Sequence, residues 1–274
     1  MSIRMVALDL DGTTLTSTGE LSDRTRYALE KAAEQGVYVV VSTGRSFNSL
    51  PPVIKEVKGI AYAITSNGSH INDITNGESV YDDYIYPGNI ETIIRMKEKY
   101  NCGLEVFING QAYIDEETFR DIEKNGCEFR NAEYVLWSRK PVPEIDKLLR
   151  ENSDRIENCN FCFEGVEKVE EAKPEISAIT NAQITTSFRN NLEIGGPNTS
   201  KKTALIELMR RLGIDSSELM CCGDAPNDIQ MLELAGIGVA MGNAWGGTKD
   251  HADYVTASND EDGVALAFEK FVLK

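Results

Sequence analysis

The stretch VALDLDGTTL, residues 6–15, decides how this chain is read. Val6, Ala7 and Leu8 make a short apolar run, the pattern of a strand buried inside a sheet. The run ends in Asp9 and Asp11 and passes straight into Gly12, Thr13 and Thr14. Carboxylates buried at a strand end without partners are costly, so this pair must meet water, a metal or a substrate. The plain alternative is an Asp-rich turn with glycine supplying a permissive backbone.

Working outward, Ser22 is placed to cap a helix in LSDRTRYALEKAAEQG, with Leu29, Ala32 and Ala33 as its apolar stripe and Gly36 at its end. The β-branched run VYVVV follows, then a further helical stretch, then IAYAITSNG. Strand and helix alternating at this rhythm predict a parallel sheet with right-handed crossovers. Asn76-Gly77 then signals a hairpin. From Asp83 to Asn190 the pattern becomes mixed, with helix-like NIETIIRMKEKY and PEIDKLLREN among strand-like GLEVFING, NCNFCFEG and AQITTSF. Beyond it the α/β rhythm returns through KKTALIELMRRLG, ELMCCGD, NDIQMLELAG, IGVAMG, DYVTAS and EDGVALAFEKF. The expectation is a doubly wound, Rossmann-like α/β core built from residues 1–82 and 191–274. Residues 83–190 are expected as an inserted α+β cap.

Bulk properties narrow the function. The 274 residues are 41% hydrophobic and 26% charged, as a globular chain with a real core requires. A net charge of −16 with no basic stripe excludes a nucleic-acid partner. No run approaches the roughly 20 apolar residues of a membrane span, and the N-terminus has no signal-peptide pattern, so the expected location is the cytoplasm. The six cysteines read as reduced thiols, and Cys159 and Cys162 of the lone C-x-x-C as ordinary strand residues. Oligomeric state is not legible; monomer and homodimer both stay open.

Other short stretches share the placement of Asp9 and Asp11. VVVSTGR puts Thr43, Gly44 and Arg45 after a strand, and CCGDAPND puts Asp224, Asn227 and Asp228 after another. GGPNTSKKTAL presents Lys201 and Lys202 at a helix start. In a parallel sheet these strand ends converge on one edge. Asp9, Asp11, Asp224 and Asp228 sharing that edge need a counter-charge, and oxygen-only ligands suit Mg²⁺ beside a substrate phosphate. Thr43, its neighbouring amides and a lysine suit phosphoryl oxygens. The chemistry is phosphoryl transfer at a metal, one aspartate attacking and the other serving as acid and then base. Arg45, Asn67 and His70 are read as structural or peripheral.

With these motifs in place, the chain resembles the haloacid dehalogenase superfamily over its whole length. Within it, the chain is similar to the Cof-like phosphatases with a large C2-type (IIB) cap between the second and third motifs. DLDGTTL looks like the first motif, STGR the second, SKK the lysine motif and GDAPND the fourth; AMGNA, ADYVT and SNDEDGVA are similar to that subfamily's tail. The resemblance implies Asp9 as the nucleophile that forms an aspartyl-phosphate and Asp11 as general acid/base. It implies phosphoryl binding by Thr43, Gly44, Lys201 and Asn227, with Asn67 near the same group. It implies Mg²⁺ held by Asp9, the backbone carbonyl of Asp11 and Asp224, with Asn227 and Asp228 in support. Lys202 stands where the family has glycine, and Gly246 and Gly247 interrupt a stretch that normally runs as helix.

The expected function is therefore Mg²⁺-dependent hydrolysis of a small phosphorylated metabolite, such as a sugar phosphate or phosphorylated cofactor. A phospho-aspartate switch or phosphometabolite-binding protein is the rival from another class, but receiver domains are about half this length and lack the insertion. A P-loop kinase is excluded because Ser200 stands where that motif needs glycine and Lys202 where it needs Ser or Thr.

Overall fold

A computed structural model of the protein describes residues 2–127 and 131–273. The chain divides into two compact units: residues 1–44, 50–82 and 200–274 form one, and residues 45–49 and 83–199 the other.

The first unit begins with β1 (Met5–Leu8), β2 (Tyr38–Ser42), β3 (Ile60–Thr65), β4 (His70–Asp73) and β5 (Ser79–Asp82). In the second unit follow β6 (Gly103–Ile108), β7 (Gln111–Asp115), β8 (Arg139–Val142), β9 (Ile156–Cys162), β10 (Gln183–Thr185) and β11 (Asn191–Gly195). The chain then returns to the first sheet with β12 (Leu219–Gly223), β13 (Ile237–Ala240) and β14 (Tyr254–Val255).

The first sheet has the order β14-β13-β12-β1-β2-β3-β4-β5. It is parallel from β14 to β3; β4 then runs antiparallel to β3, and β5 antiparallel to β4. Every residue of β1 and β12 is buried, which explains their unbroken apolar runs. Strand order leaves β1 in both directions, through β2 on one side and β12 on the other. That is a topological switch point, where the loops at the strand C-termini part and leave room for a ligand.

Local signals act as read. The Ser22 hydroxyl accepts from the Thr25 amide and opens helix Asp23–Glu34, whose Ala28, Leu29 and Ala32 are buried. The Ser200 hydroxyl does the same for helix Lys201–Leu212, which ends at Gly213 in the left-handed conformation. Ala204, Leu205 and Leu208 of that helix pack with Met5, Ala7, Val40 and Cys221 of the sheet.

The second unit is a sheet of order β10-β11-β9-β6-β7-β8. Leu104, Val106, Phe161 and Ile194 bury one face against helices Ile90–Tyr100 and Val166–Ile176. The opposite face carries a buried polar row, Glu105, Asn160 and Glu193, aligned across β6, β9 and β11. Residues 191–199, which the sequence pattern assigns to the core, belong to this unit. The reason is pairing: Asn191–Gly195 runs antiparallel to Asn158–Cys162, a register no local pattern encodes. Helix Glu116–Asn125, with Ile122 as its one buried residue, and helix Val166–Ile176, which contains Pro174, carried too weak a signal to be read.

All six cysteines are free thiols. No helix among the described residues is long and apolar enough to cross a membrane.

Candidate active site

Asp9 follows β1 directly, and its amide donates to the Cys222 carbonyl, so the ends of β1 and β12 are tied together. The chain then turns through Asp11 (φ −75°, ψ 121°) and Gly12 (φ 75°, ψ 0°). These are the central angles of a type II turn, whose third position demands a residue at home with positive φ. A side chain at Gly12 would also place its Cβ 2.5 Å from Asp224 Oδ2. The glycine of the opening motif is therefore required twice, by its backbone and by the carboxylate behind it.

The threonines after it complete the frame. The Thr14 hydroxyl donates to the Asp9 carbonyl at 2.6 Å, and the Thr13 hydroxyl to Asp224 Oδ1 at 3.0 Å. Sequence reasoning missed both, although they stand next to the acids they hold. Gly68 is a second omission: a Cβ there would lie 2.2 Å from the Ser200 carbonyl, so its absence lets the start of helix Lys201–Leu212 approach.

Lys201 is buried, and its Nζ donates at 2.6 Å to Asp9 Oδ1 and at 2.6 Å to Asp228 Oδ1. Lys202, one residue on, is partly exposed; consecutive helical residues point about 100° apart. The other oxygen of Asp228, Oδ2, accepts from the amides of Asp224 (2.9 Å) and Ala225 (3.1 Å). Asp228 fixes the lysine on one side and the Asp224 loop on the other.

Asn227 Nδ2 donates to Asn67 Oδ1 at 3.0 Å, and Asn67 sits at φ 58° with its amide on the Thr43 carbonyl. Thr43 is buried and its own amide donates to the Ile64 carbonyl. Gly44 lies against Asn67, a Cβ there falling 3.2 Å from Asn67 Oδ1. Arg45 belongs to the second unit, over the ring of Tyr134 and bonded to the Ser49 carbonyl. His70 pairs with Asp82 across β4 and β5, Nδ1 to Oδ1 at 2.9 Å.

The carboxylates of Asp9, Asp224 and Asp228 offer oxygens that all lie within 4.8 Å of one another. Burial pushes Asp9 up to about 7, with the charges of Asp228 and Asp11 adding to it and Lys201 opposing. Burial, with the charges of Asp9 and Asp228, pushes Asp224 up to about 9 against the Thr13 hydrogen bond. Burial would lower Lys201, but Asp228 and Asp9 outweigh it and hold the ammonium charged above its usual range. Three carboxylates against one ammonium would carry excess negative charge if all were ionised, and the raised values of Asp9 and Asp224 reflect that crowding. An all-oxygen donor set of this kind fits a hard divalent cation.

The family profile of haloacid dehalogenase-like hydrolases matches residues 6–268. The chain is 31% identical to the 5-amino-6-(5-phospho-D-ribitylamino)uracil phosphatase YcsE of Bacillus subtilis, over 100% of this chain and 97% of that one. It is 32% identical to the phosphatase YwpJ of the same organism, over 96% of this chain and 98% of that one. Among solved structures, a haloacid dehalogenase-like hydrolase from B. subtilis superposes with a TM-score of 0.85 at 28% identity, covering 98% of this chain and 100% of that one.

Proposed function

This chain belongs to the haloacid dehalogenase-like hydrolases, and we propose that it hydrolyses a small phosphomonoester in the cytoplasm through an aspartyl-phosphate, with Mg²⁺ as cofactor. The observation that carries the reading is the bridge of Lys201 between Asp9 and Asp228, with the Asp224 carboxylate in the same cluster. Relatives that bear phosphatase names support the substrate class, a phosphorylated cofactor precursor or a sugar phosphate.

Asp9 attacks phosphorus through a carboxylate oxygen while Asp11 gives its proton to the departing alkoxide. Asp11 then takes a proton from water, which attacks the phosphorus of the aspartyl-phosphate; inorganic phosphate leaves and Asp9 is restored. Thr43, Gly44, Lys201 and Asn227 bind the phosphoryl oxygens, Lys201 also screening Asp9 from Asp228. Asp9, Asp224 and the Asp11 carbonyl would hold Mg²⁺, and Asp228, bonded to Lys201 and to the Asp224 and Ala225 amides, supports them. When bound, the cation supplies positive charge to the phosphoryl oxygens as negative charge develops there. The inserted residues 83–190 select among leaving groups.

The test is phosphate release from a panel of phosphorylated metabolites with Mg²⁺, wild type against Asp9→Asn. Release by the wild type and none by the variant is expected. A variant within tenfold of wild type would overturn the mechanism.

A further inference from the structure

The loop after β13 touches both turns that carry the acids. The Met241 amide donates to the Gly223 carbonyl and the Trp245 amide to the Asp224 carbonyl, at 3.0 and 2.9 Å. Between them, Asn243 Nδ2 donates to the Gly12 carbonyl at 2.8 Å. The other end of the same amide is also used, because Asn243 Oδ1 accepts from the Asn259 amide at 3.1 Å. Asn259 in turn donates through Nδ2 to the Leu15 carbonyl at 2.9 Å. Two asparagines thus grip the Asp11–Gly12 turn at its front and its back. Gly246 and Gly247, at φ 62° and 83°, turn the loop in the left-handed region just before the short helix Thr248–His251.

Asn243 is an exposed residue, and nothing in its solvation requires these bonds. A hydrophilic surface loop would tolerate most polar residues at this position. Its amide links the Gly12 carbonyl to the Asn259 segment from the loop after β13. Other bonds that hold the Asp11–Gly12 turn include Thr13 to Asp224, Thr14 to Asp9 and the Leu15 amide to Leu10. Each of those ties the turn to the strand it came from or to one acid. Asn243 ties it instead to the loop after β13, whose Trp245 amide holds the Asp224 carbonyl.

We propose that Asn243 is a positioning residue: by holding the Gly12 carbonyl, it keeps Asp11 aligned with the Asp9–Asp224 centre. It touches neither substrate nor reacting atoms. Its effect follows from geometry, because a shift of about 1 Å in an acid/base group or ligand costs on the order of a hundredfold in rate. Partners that orient metal ligands from outside are worth about ten- to a hundredfold in affinity or activity.

The inference rests on the phosphatase reading above, and the experiment separates the two. Asn243→Asp is isosteric and keeps the acceptor for Asn259, but replaces the donor to Gly12 with a carboxylate oxygen. Asn243→Ala removes both, and Asn259→Ala loosens the far end of the turn. Each is compared with wild type in kcat and KM on the best substrate, in Mg²⁺ affinity by calorimetry, and in melting temperature. The expected result for Asn243→Asp is a loss of about tenfold or more in kcat, with KM within about threefold and the melting temperature nearly unchanged. Mg²⁺ affinity falls in the same variant, and Asn259→Ala shows a smaller loss that is not additive with it. A kcat and Mg²⁺ affinity for Asn243→Asp within about twofold of wild type would overturn the proposal. So would losses that track melting temperature alone across all the variants. If wild type releases no phosphate from any substrate, the phosphatase reading fails instead, and the Mg²⁺ titration still tests Asn243.

Discussion

Lys201 Nζ lies 2.6 Å from Asp9 Oδ1, and both residues are buried. An ion pair in that position opposes the burial that raises the Asp9 pKa. The same ammonium reaches Asp228 at 2.6 Å, so its removal leaves two buried carboxylates facing each other.

Replacing that lysine separates it from its neighbour. Lys201→Ala should lower kcat about a hundredfold, corresponding to ~3 kcal/mol of transition-state stabilisation. It should also destabilise the metal-free fold by about 3–5 kcal/mol, since a broken buried pair leaves uncompensated charge. Lys202→Ala and Lys202→Gly should stay within about 0.5 kcal/mol of wild type in stability, with little change in rate. A larger kcat loss for Lys202→Ala than for Lys201→Ala contradicts the assignment.

Asp9→Asn should fold and bind substrate analogues while losing turnover by more than about a thousandfold, as expected when the attacking group of a covalent mechanism is removed. Burial raises the Asp9 pKa, so the neutral amide should not destabilise the chelator-treated protein. Melting curves with and without chelator test this second point independently of activity.

Stability of the metal-free protein should fall as pH rises. Asp9 and Asp224 titrate near 7 and 9 when folded, against 3.8 unfolded, so between these values the folded state binds more protons than the unfolded. Their raised values therefore subtract stability progressively from about pH 4 up to about pH 9. Glu207, drawn down to about 2 by Arg210 and Arg211, acts in the opposite sense only below its unfolded 4.5. Melting temperatures of chelator-treated protein at about pH 6 and about pH 9 should differ in favour of the lower pH, and saturating Mg²⁺ should shrink the gap. A higher melting temperature at the alkaline end would contradict the charge arrangement.

Chelation should stop phosphate release and Mg²⁺ should restore it. Ca²⁺ should compete without supporting turnover, because it accepts looser, higher coordination than Mg²⁺. Full activity in chelator-treated protein would remove the cation from the mechanism.

Gly12→Ala tests the turn itself. The backbone at φ 75° costs an L-residue about 1–2 kcal/mol, and the new methyl meets Asp224 Oδ2. The expected outcome is a modest loss of stability and a rate loss of more than about tenfold, because Asp224 must move. An unchanged rate would show that the turn tolerates displacement.

The sequence by itself determined the layered architecture, because hydrophobic periodicity, caps and β-branched runs are local properties. Ser22, Ser200 and the apolar runs of β1, β2 and β12 announce their elements without reference to anything distant. It also placed acids, a threonine and a lysine at strand ends and a helix start, since those positions follow from element boundaries. Tertiary structure alone decided what meets what. Asp9 and Lys201 are 192 residues apart, and the Gly12 carbonyl and Asn243 are 231 apart, so no local pattern links them. The same holds for Asn191–Gly195, whose apolar alternation suits either sheet and whose place was settled by pairing with β9. Long-range register and the sharing of one buried charge among three carboxylates are properties of packing, and packing exists only once the strands are side by side.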